Sequence, residues 1–380
     1  MIFYATFCLA IPSFMLAFTV LNTLWLMWSS LIPQETTGGK VSVLVPARNE
    51  AANLEACLES LIRQEYEDFE IIVYDDQSSD GTGAIIERFV KRYPETVFMI
   101  RGGPLPEGWY GKPHALHSLA KRARGSRLLF TDADTIHRSD SIGKAAGLAN
   151  YYAADFVSGY VQHKAATLGD SLVFPMIYLL TMGYMPLWLT LQSLHPRISH
   201  AIGQFVFVDR AAYLLSGGYE SVKDKVSEDV HFVRRMKRQG YRVVFADLKD
   251  QVSCRMFKDY RHAIDGISKN VYDYIEKKFP ILAAATILLP LLVFLPIILS
   301  IWIPPFFPAS SPLARIQPEL RLSVLLSMFV WFVVALERKL PWYIPLLYPV
   351  IYVNTLSAAW RAHRIFSQGR GIVWKGRIVR

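Results

Sequence analysis

Cysteine is scarce in this sequence, which holds three cysteines in 380 residues, at positions 8, 57 and 254. An odd number of scattered cysteines provides neither a disulfide framework nor the paired thiols of a zinc site. The nine histidines also lack a metal-ligand spacing, and the chain contains no internal repeat or low-complexity segment. These absences argue against a disulfide-stabilised secreted domain, a zinc-binding module and a repeat protein.

Charge is also low, at 19% of residues, while hydrophobic residues make up 52%. The net charge is +9, and much of the positive charge lies beside apolar segments. These basic residues are Lys277, Lys278, Arg338, Lys339, Arg361, Arg364, Arg370, Lys375, Arg377 and Arg380. Their positions fit the positive-inside rule and contact with anionic lipids. Because they do not form a separate basic domain, we expect no nucleic-acid partner.

Long apolar runs occupy both ends of the chain. Residues 3–28 are long enough to cross a bilayer core of about 30 Å. They lack the basic start, short apolar core and cleavage site of a signal peptide, so residues 1–30 are predicted as an uncleaved membrane anchor. Residues 279–360 are predicted as C-terminal membrane helices, with a basic cytoplasmic tail at 361–380. The helical segments fall near 280–304, 322–336 and 340–360, and the middle one is short for a span.

A third apolar stretch, residues 171–194, carries no charge and is interrupted by Pro175, Gly183 and Pro186. A spanning helix here would place the two halves of the surrounding domain on opposite sides of the membrane. We therefore expect an interfacial or re-entrant segment that holds the domain against the lipid.

Residues 40–278 alternate between strand and helix patterns. Short apolar runs predict strands at 41–46, 69–74, 97–100 and 127–131, and helical spacing predicts helices at 51–64, 81–93 and 114–124, with Asp80 as the N-cap of the second. This order predicts a doubly wound, mostly parallel α/β sheet with right-handed crossovers. Ligands of such sheets bind beyond the carboxyl ends of the strands.

Two carboxylates follow the fourth predicted strand, in LLFTDADT at residues 128–135. Asp132 and Asp134 are two positions apart, and strand alternation would place both on one face. Together they can bind one Mg²⁺ or Mn²⁺, whose remaining ligands would be substrate phosphates. An ordinary strand end with two solvated acids is the alternative interpretation of this motif alone.

Polar residues also follow the first strand. Pro46, Arg48, Asn49 and Glu50 lie between that strand and a helix, where backbone donors and the helix dipole suit the phosphates of a nucleotide. A capped loop without a ligand explains the same residues equally well.

Two further motifs suit a nucleotide. Asp75 and Asp76 end the second strand, where carboxylates can accept hydrogen bonds from a base or from ribose hydroxyls. Turn and cap chemistry explains residues 78–82 but not these two acids. Lys112 precedes the next helix in a glycine-containing loop, where it can meet a phosphate or neighbouring acids.

In this order, VPARNE, YDDQSSDGT, GK-x-x-AL and FTDADT resemble the nucleotide-binding half of family 2 glycosyltransferases, which have the GT-A fold. The segments AIGQFVFVDRAAYLLSGGYE (201–220) and VSEDVHFVRRMKRQGYRVVF (226–245) resemble the acceptor-side segment and the Glu-Asp motif of that family. The resemblance covers about residues 40–250. It implies that Asp76, with Asp75, binds the nucleoside, and that Asp134, with Asp132, binds the metal ion on the diphosphate.

The same resemblance assigns the catalytic base to Asp229. This carboxylate would deprotonate an acceptor hydroxyl for in-line attack at the anomeric carbon with inversion, and Glu228 would tune it. A pair of acids favoured by the dipole at a helix N-terminus is the alternative explanation of these two residues.

Processive members of the family carry a Gln-x-x-Arg-Trp motif after the Glu-Asp motif. None occurs in CRMFKDYRHAIDGISKNVYDY, residues 254–274, which predicts single-sugar transfer. Arg261 or His262 is a candidate for part of the missing function. A processive polysaccharide synthase is the alternative.

The layout of anchors, GQF before GGY and a final VWKGR (373–377) resembles most the carotenoid- and hopanoid-associated glycosyltransferases and, more distantly, ceramide glucosyltransferases, whose acceptors are lipids. Gly203 and Gln204 would then lie near the acceptor, and Trp374 and Arg377 would close the site from the tail. A basic, aromatic anchor at the membrane interface explains Trp374 and Arg377 equally well.

The sequence thus predicts an inverting, metal-dependent glycosyltransferase that moves one sugar from a nucleotide donor, preferably a UDP-sugar, to a hydrophobic acceptor. Two classes compete with this interpretation. A haloacid-dehalogenase-type phosphotransferase would use Asp132 as nucleophile, but its further acidic pair should lie downstream, and Asp75 and Asp76 lie upstream. A membrane scaffold with a non-catalytic nucleotide-binding domain would not need the full set of carboxylates.

The charge pattern predicts a multi-pass protein of the plasma membrane with its catalytic domain in the cytoplasm, because almost no charge precedes the first anchor. Three C-terminal spans would place the basic tail outside, which conflicts with a role of the tail at the active site. We therefore expect one C-terminal segment, the short 322–336, not to span fully or to pair with a neighbour as a hairpin.

Overall fold

The computed structural model describes residues 1–274, 278–306, 311–374 and 376–379. Lys277, Lys375 and Arg380, three of the basic residues noted above, lie outside the described residues. A long N-terminal helix precedes an α/β domain, and further long helices and a short hairpin follow it.

The first part of the chain contains α1 (Ile2–Leu31), β1 (Val41–Ala47), α2 (Leu54–Ile62), β2 (Phe69–Asp75), α3 (Thr82–Arg92), β3 (Val97–Arg101), α4 (Gly111–Arg122), β4 (Arg127–Phe130), β5 (Thr135–His137), α5 (Ser141–Tyr151), β6 (Phe156–Tyr160), β7 (Gln162–His163), α6 (Leu168–Ser171) and α7 (Met176–Met182). The second part contains β8 (Val206–Asp209), α8 (Arg210–Leu215), α9 (Glu228–Arg238), β9 (Val243–Asp247), β10 (Val252–Cys254), α10 (Tyr260–Tyr274), α11 (Phe279–Leu289), α12 (Leu295–Phe306), α13 (Pro312–Glu337), α14 (Ile344–Ser367), β11 (Ile372–Trp374) and β12 (Arg377–Val379). Short 3₁₀ segments lie at Leu187–Leu189 and Gly218–Val222, and a π-helical turn lies at Pro290–Phe294.

A seven-stranded sheet forms the centre of the α/β domain, with strand order β3-β2-β1-β4-β8-β6-β9. Only β8 runs antiparallel to its neighbours, β4 and β6. The other pairs in this sheet are parallel, as the βαβ order requires. A smaller sheet, β5-β10-β7, stands beside it. The predicted doubly wound, mostly parallel sheet is thereby confirmed.

The central strands read as apolar runs because helices cover both faces of the sheet. Five consecutive residues of β1 and all five of β9 are buried, for example. Ser42 is a buried polar exception in β1, and it is hydrogen-bonded: its Oγ donates to Glu70 Oε1 (2.7 Å) and accepts from the Gly125 N–H (2.8 Å). A satisfied polar group of this kind costs little burial energy.

Two local predictions are wrong in detail. The strand predicted at 127–131 ends at Phe130, so Asp132 and Asp134 lie in the turn that leads to β5 instead of alternating along a strand. The residue at the N-cap of α3 is Gly81, not Asp80. The Asp80 carboxylate still stabilises this turn, because its Oδ1 accepts a hydrogen bond from the Thr82 N–H (2.9 Å).

The apolar stretch 171–194 does not form a spanning helix. Its helical part, Leu168–Met182, is too short to cross a membrane, and it packs against α1. A buried amide on α1 fixes this contact: Asn22 Nδ2 donates to the carbonyls of Met182 (2.7 Å) and Met185 (2.8 Å), and its Oδ1 accepts from the Leu187 N–H (2.8 Å). Whether the stretch lies in the membrane interface stays a prediction.

Three helical segments of the described chain are long and apolar enough to cross a membrane: Ile2–Leu31, Phe279–Ile301 and Pro312–Glu337. The last of them has 26 residues, so the segment at 322–336 belongs to a helix longer than expected, and its failure to span or its pairing as a hairpin stays a prediction. The sequence misled because the first turns of α13 carry Arg315, Glu319 and Arg321 before the apolar run begins.

The long helix α14 covers the segment predicted at 340–360, and it is not among these candidate spans. It packs along α10, where Tyr260 Oη donates to Asn354 Oδ1 (3.0 Å) and Arg361 pairs with Asp265 (2.5 Å). Just before α14, Arg338 is buried and pairs with Asp247 of β9 (2.9 Å). Just after it, the β11–β12 hairpin returns to the α/β domain, so both ends of α14 adjoin that domain.

Candidate active site

The loops after β1 and β2 hold each other through hydrogen bonds. The Asn49 N–H donates to Ser78 Oγ (3.0 Å), and the Ser79 N–H donates to Asn49 Oδ1 (2.9 Å). The Ser78 N–H donates to Asp75 Oδ1 (3.0 Å). Asn49 adopts a φ of +52°, a left-handed conformation that asparagine tolerates better than most residues. The short polar residues at 78–82 thus shape the turn, as their chemistry predicts.

The remaining residues of the first loop lie around the second. Pro46 is in β1, next to Tyr74 of β2. Arg48 Nη1 donates to the backbone carbonyl of Asp76 at 2.5 Å. Glu50 is buried, and its Oε2 accepts a hydrogen bond from Asn53 Nδ2 (2.8 Å). The structure thus brings the predicted donor-side residues of the two loops together at the carboxyl ends of β1 and β2.

Asp76 forms a bidentate ion pair with a residue 301 positions away. Arg377, in β12, donates from Nη2 to Asp76 Oδ1 (2.8 Å) and from Nη1 to Oδ2 (2.5 Å). Asp76 is 6% exposed, so this pair is largely shielded from water. The first residue of α4, Gly111, packs directly on it, and a Cβ there would lie 2.2 Å from Arg377 Nη1. A side chain at position 111 would therefore displace the end of the Arg377 side chain.

The tail hairpin consequently reaches the site on the side of Asp76. We expected Arg377 on the acceptor side, and the structure places it on a residue predicted to bind the nucleoside. Trp374 is in β11, and its side chain lies outside the described part of the chain.

Four charged residues converge on the N-terminus of α9. Lys112 Nζ lies 2.8 Å from Asp132 Oδ1 and 3.1 Å from Glu228 Oε1. A Cβ on Gly203 would lie 2.9 Å from Lys112 Nζ and 3.3 Å from Asp229 Oδ2, so Gly203 leaves room where these side chains meet. The segment around Gly203 therefore borders the same space as the lysine and the three carboxylates.

Burial and charge perturb this cluster strongly. Burial lowers the pKa of Lys112, but the carboxylates of Asp132, Glu228 and Asp229 outweigh it and hold that pKa well above its usual value. Burial, with the neighbouring Glu228 charge, raises the pKa of Asp229 to about 7, although Lys112 acts in the opposite direction. A carboxylate with a pKa near neutrality is suited to accept a proton under physiological conditions.

A second helix holds α9 in place. The Ser227 N–H, directly before α9, donates to Asp273 Oδ2 of α10 (3.2 Å). His231, one turn into α9, contacts the same carboxylate oxygen through Nε2 (3.4 Å). Asp273 thereby fixes the end of α9 that carries the two catalytic candidates.

The turn that carries Asp132 and Asp134 rests on a buried network. Thr135 Oγ1 donates to the Asp132 carbonyl (2.7 Å), and Thr131 Oγ1 donates to the Gln204 carbonyl (2.8 Å). Both hydroxyls lie near His137 Nε2, at 3.1 and 3.0 Å. Burial lowers the pKa of His137 to about 3, so the ring is neutral. The network ties the Asp132 turn to Gln204 on the predicted acceptor side.

The carboxylates at this turn suit a hard cation that takes its remaining ligands from a substrate. Asp132 and Asp134 provide carboxylate oxygens, which Mg²⁺ and Mn²⁺ prefer. Within the described residues, no group of three or more His, Cys, Asp and Glu side chains could hold a metal ion alone. Two carboxylates fit a metal ion that takes its other ligands from a diphosphate and water, and they do not fit an independent structural metal site.

Comparison with known proteins agrees with this architecture. Residues 42–213 match the sequence profile of glycosyl transferase family 2. The 4,4'-diaponeurosporenoate glycosyltransferase of Staphylococcus aureus is 25% identical over 256 residues, which are 65% of this chain and 65% of that protein. The poly(ribitol-phosphate) beta-glucosyltransferase of Bacillus spizizenii is 35% identical over 118 residues, 30% of this chain and 17% of that protein. The matches thus span less than two thirds of these relatives' lengths.

The chain carries a family 2 glycosyltransferase domain.

A solved structure supports the fold assignment of this domain. The mannosyltransferase PcManGT from Pyrobaculum calidifontis, in complex with GDP-Man and Mn²⁺, superposes with a TM-score of 0.56 at 17% identity, over 94% of this chain and 98% of that one. The predicted GT-A fold is thereby confirmed, and the profile match confirms the predicted family for the domain at residues 42–213.

Sequence reasoning missed several residues of the glycosyltransferase domain. His137, which supports the Asp132 turn, was grouped with the ordinary histidines, and Asp273, which holds α9, was not singled out. Thr131 and Thr135 flank the Asp-Ala-Asp triplet and could have been noticed as supporting hydroxyls. No local pattern indicated Asp273, because its partners lie 42 and 46 positions away on another helix.

Arg261 and His262 are poorly placed for the function considered for them. Both lie in the first turn of α10, whereas the catalytic end of α9 contacts Asp273 near the other end. At 1.5 Å per residue, about 17 Å of helix separates them from Asp273. His262 packs against Phe257, with ring centroids 5.8 Å apart. The idea that either residue replaces the missing Gln-x-x-Arg-Trp motif therefore lacks support.

Proposed function

We propose that this protein transfers one sugar from a nucleoside-diphosphate sugar, preferably a UDP-sugar, to a lipid hydroxyl at the cytoplasmic face of a membrane. The observation that carries the proposal is Asp229, whose raised pKa and position beside Lys112 and Gly203 suit a general base. It lies next to the Asp132 turn, which provides metal-binding carboxylates at the end of β4. A base and a diphosphate site on either side of one space are what inverting transfer requires.

In this mechanism Asp229 takes the proton of the acceptor hydroxyl as its oxygen attacks the anomeric carbon. The bond between that carbon and the diphosphate oxygen breaks on the opposite side, and the nucleoside diphosphate leaves with the electron pair. An alcohol is a poor nucleophile without a positioned base, which is why the pKa of Asp229 matters. Burial and the charge of Glu228 keep the pKa of Asp229 high, and the charge of Lys112 limits the increase.

Asp132 and Asp134 would hold Mg²⁺ or Mn²⁺, which supplies positive charge to the leaving diphosphate. Lys112 contributes a further positive charge beside the same carboxylate. The PcManGT complex with GDP-Man and Mn²⁺ supports a nucleotide sugar and a divalent metal ion as the donor-side ligands.

The acceptor assignment is supported by the relatives and by the apolar helices. One relative is named for glycosyl transfer to 4,4'-diaponeurosporenoate. Three helices long and apolar enough to span a membrane accompany the domain. Transfer of a single sugar is favoured over processive synthesis, because the sequence after the Glu-Asp motif contains no Gln-x-x-Arg-Trp.

The proposed membrane arrangement has three spans, formed by α1, the segment Phe279–Ile301 and α13, with α14 lying along the membrane surface. The carboxyl ends of α1 and α13 both meet the catalytic domain: Trp25 Nε1 donates to the Phe245 carbonyl (2.8 Å), and Arg338 pairs with Asp247. Two of these spans, Phe279–Ile301 and α13, separate the domain from the tail, and an even number of crossings leaves both on the same, cytoplasmic side. This arrangement resolves the conflict between a basic tail inside and three C-terminal spans.

Cysteine labelling of intact cells tests that arrangement. The native cysteines are buried, so introduced ones report without background. Arg315→Cys, at the start of α13, should react with an impermeant maleimide, and Gln368→Cys, after α14, should react only once the cells are permeabilised. External labelling at position 368 would contradict the arrangement.

The catalytic assignment is tested with Asp229→Asn, which removes the base and keeps the shape. We expect UDP binding to be retained and sugar transfer to fall at least about 100-fold, the usual contribution of a general base. Asp224→Asn provides a matched control, because Asp224 is an exposed acid in the preceding loop. Normal transfer by Asp229→Asn would refute the proposed mechanism.

A further inference from the structure

A groove of about 800 Å³ lies between α11 and the carboxyl-terminal half of α14. Leu289 and Phe294 line one wall, and Val353 and Leu356 line the other. The interior surface is mostly apolar, and one end is bordered by arginines. No part of the proposed catalytic mechanism uses this groove.

The two walls are fixed to each other. Trp360 Nε1, on α14, donates to Thr286 Oγ1, on α11, at 2.8 Å. Four residues after Thr286, α11 is followed by the π-helical turn Pro290–Phe294. Proline has no N–H to continue the α-helical ladder, and π-turns widen a helix locally and often occur at functional sites. The groove is therefore shaped by a specific hydrogen bond and a specific irregularity, and it is more than a gap between two helices.

Positive charge is concentrated at one end of the groove. Arg361, Arg364 and Arg370 all border it. Arg361 is paired with Asp265, whereas Arg364 and Arg370 are exposed and form no ion pair with the described residues. An apolar channel with guanidinium groups at its mouth suits a long hydrocarbon chain that carries a carboxylate or a phosphate.

The charged end of the groove is connected to the active site through α10. Asp265 of α10 pairs with Arg361 at the groove, and Asp273 of α10 holds Ser227 at the start of α9. Eight residues separate the two aspartates, which corresponds to about 12 Å along a helix. The arginine end of the groove therefore adjoins the same helix that holds the start of α9, on which Asp229 lies.

We infer that this groove binds the hydrocarbon chain of the acceptor lipid, and that Arg364 and Arg370 bind an anionic group on that lipid. The inference rests on the proposed function and narrows the acceptor to a long-chain amphipathic anion that also carries the reacting hydroxyl. Bulk anionic membrane lipid offers the same chemistry to the arginines. The acceptor is favoured because Arg361 of the groove pairs with α10, the helix whose Asp273 holds the start of α9.

Binding of a fluorescent fatty acid tests the chemistry of the groove. Full-length protein in a non-ionic detergent is titrated with cis-parinaric acid, with the corresponding alcohol and with the corresponding alkyl phosphate. We expect the acid or the phosphate to bind roughly tenfold more tightly than the alcohol, because a charge-assisted hydrogen bond contributes about this much. The stronger of the two identifies the anionic group.

Two kinds of variant separate the charge from the apolar channel. The double variant Arg364→Gln/Arg370→Gln should lose the preference for the anion, and Ser357→Trp, which fills the exposed groove, should weaken binding of all three probes. Arg63→Gln, which changes an exposed arginine directly after α2, should alter neither the anion preference nor the binding of the three probes. Equal binding of the anions and the alcohol by the unmodified protein would overturn the inference.

Sugar transfer to a membrane lipid extract then distinguishes an acceptor from bulk lipid. We expect the double variant to raise the acceptor KM roughly tenfold while the UDP Kd stays unchanged. If the unmodified protein transfers sugar and the double variant does so with the same acceptor KM, the groove holds bulk lipid and the inference fails, although the proposed function stands. If the unmodified protein binds UDP but transfers sugar to no lipid, the proposed function fails first, and the acceptor role of the groove fails with it.

Discussion

Removing the charge of Lys112 should shift the pH dependence of the reaction upward. Lys112 Nζ and Asp229 Oδ2 lie 2.9 and 3.3 Å from the same point, the Cβ position of Gly203, so they are no more than about 6 Å apart. Two unit charges at about 6 Å interact by about 3 kcal/mol at an effective dielectric constant of about 20, which corresponds to roughly 2 pKa units. Because 36% of the Lys112 side chain is exposed, solvent screening reduces this to about 1 to 2 units.

The direction of this shift in pH dependence follows from the role of Asp229 as a general base. A general base works only as the carboxylate, so the rate falls as the pH falls through its pKa, which lies near 7. Lys112→Met removes the charge that favours the carboxylate, and the pKa should rise to about 8 to 9. At pH 7 the rate of the variant should drop about 5- to 50-fold from this cause and recover as the pH approaches 9 to 10.

The assay is the pH profile of kcat/KM, which reports the ionisation of the free enzyme. Lys112→Arg is the matched control, because it keeps the positive charge and should keep the midpoint within about half a unit. A loss of rate in Lys112→Met that is the same at every pH would refute the electrostatic reasoning. It would assign Lys112 to the diphosphate or the metal turn instead.

Three further predictions concern the donor site and the stability of the domain. Asp134→Ala should abolish turnover at any Mn²⁺ concentration while the thermal unfolding curve stays unchanged, and full activity would contradict its assignment as a metal ligand. Arg377→Gln should tighten UDP binding by roughly tenfold, because UDP would no longer have to break the charge-assisted contact between Arg377 and Asp76. Isothermal titration measures this affinity, and weaker binding by the variant would instead make Arg377 part of the donor site. Asp247→Ala should lower the Tm, since the 1% exposed Arg338 would lose its bidentate partner and keep only Glu337; complete loss of a buried partner typically costs about 3 to 5 kcal/mol, so we expect a smaller cost, and an unchanged Tm would contradict a stabilising role for this pair.

The elements that were predictable from the sequence are those set by local patterns. β1 and β2 are apolar runs bounded by polar loops, and their carboxyl ends carry the residues that the loops bring together. Each strand was located within one or two positions, because burial on both sides of the sheet leaves a continuous apolar signal. The loop pattern predicted that Lys112 meets a phosphate or neighbouring acids, the resemblance assigned Asp132 and Asp229, and the structure brings the three residues together.

The features that escaped prediction depend on contacts between distant parts of the chain. Arg338 was interpreted as one of the basic residues beside the membrane, but Asp247, 91 positions earlier, makes it a buried ion pair. Arg377 was expected near the acceptor, but Asp76 lies 301 positions away and takes it to the donor side. A charged side chain has the same appearance in a sequence whether it faces lipid, water or a partner, so its position is fixed only by the fold.

The membrane segments likewise depend on contacts that the sequence does not show. Hydropathy marked 340–360 as a span and 322–336 as too short, because it measures composition and not what a helix packs against. In the structure the segment 322–336 belongs to the 26-residue α13, whereas α14 is not among the candidate spans of the described chain and packs along α10. Asn354 and Tyr260 form a hydrogen bond at that contact, and no hydropathy window can detect it.

The most direct test of the central claim is nucleotide release by purified full-length protein. The protein is offered a panel of UDP- and GDP-sugars with Mg²⁺ or Mn²⁺ and a membrane lipid extract, and Asp229→Asn serves as the control. The account predicts release that depends on the lipid extract, occurs with one donor and is lost in the control. Release that is equally fast without lipid or in Asp229→Asn, or no release with any donor, would contradict it.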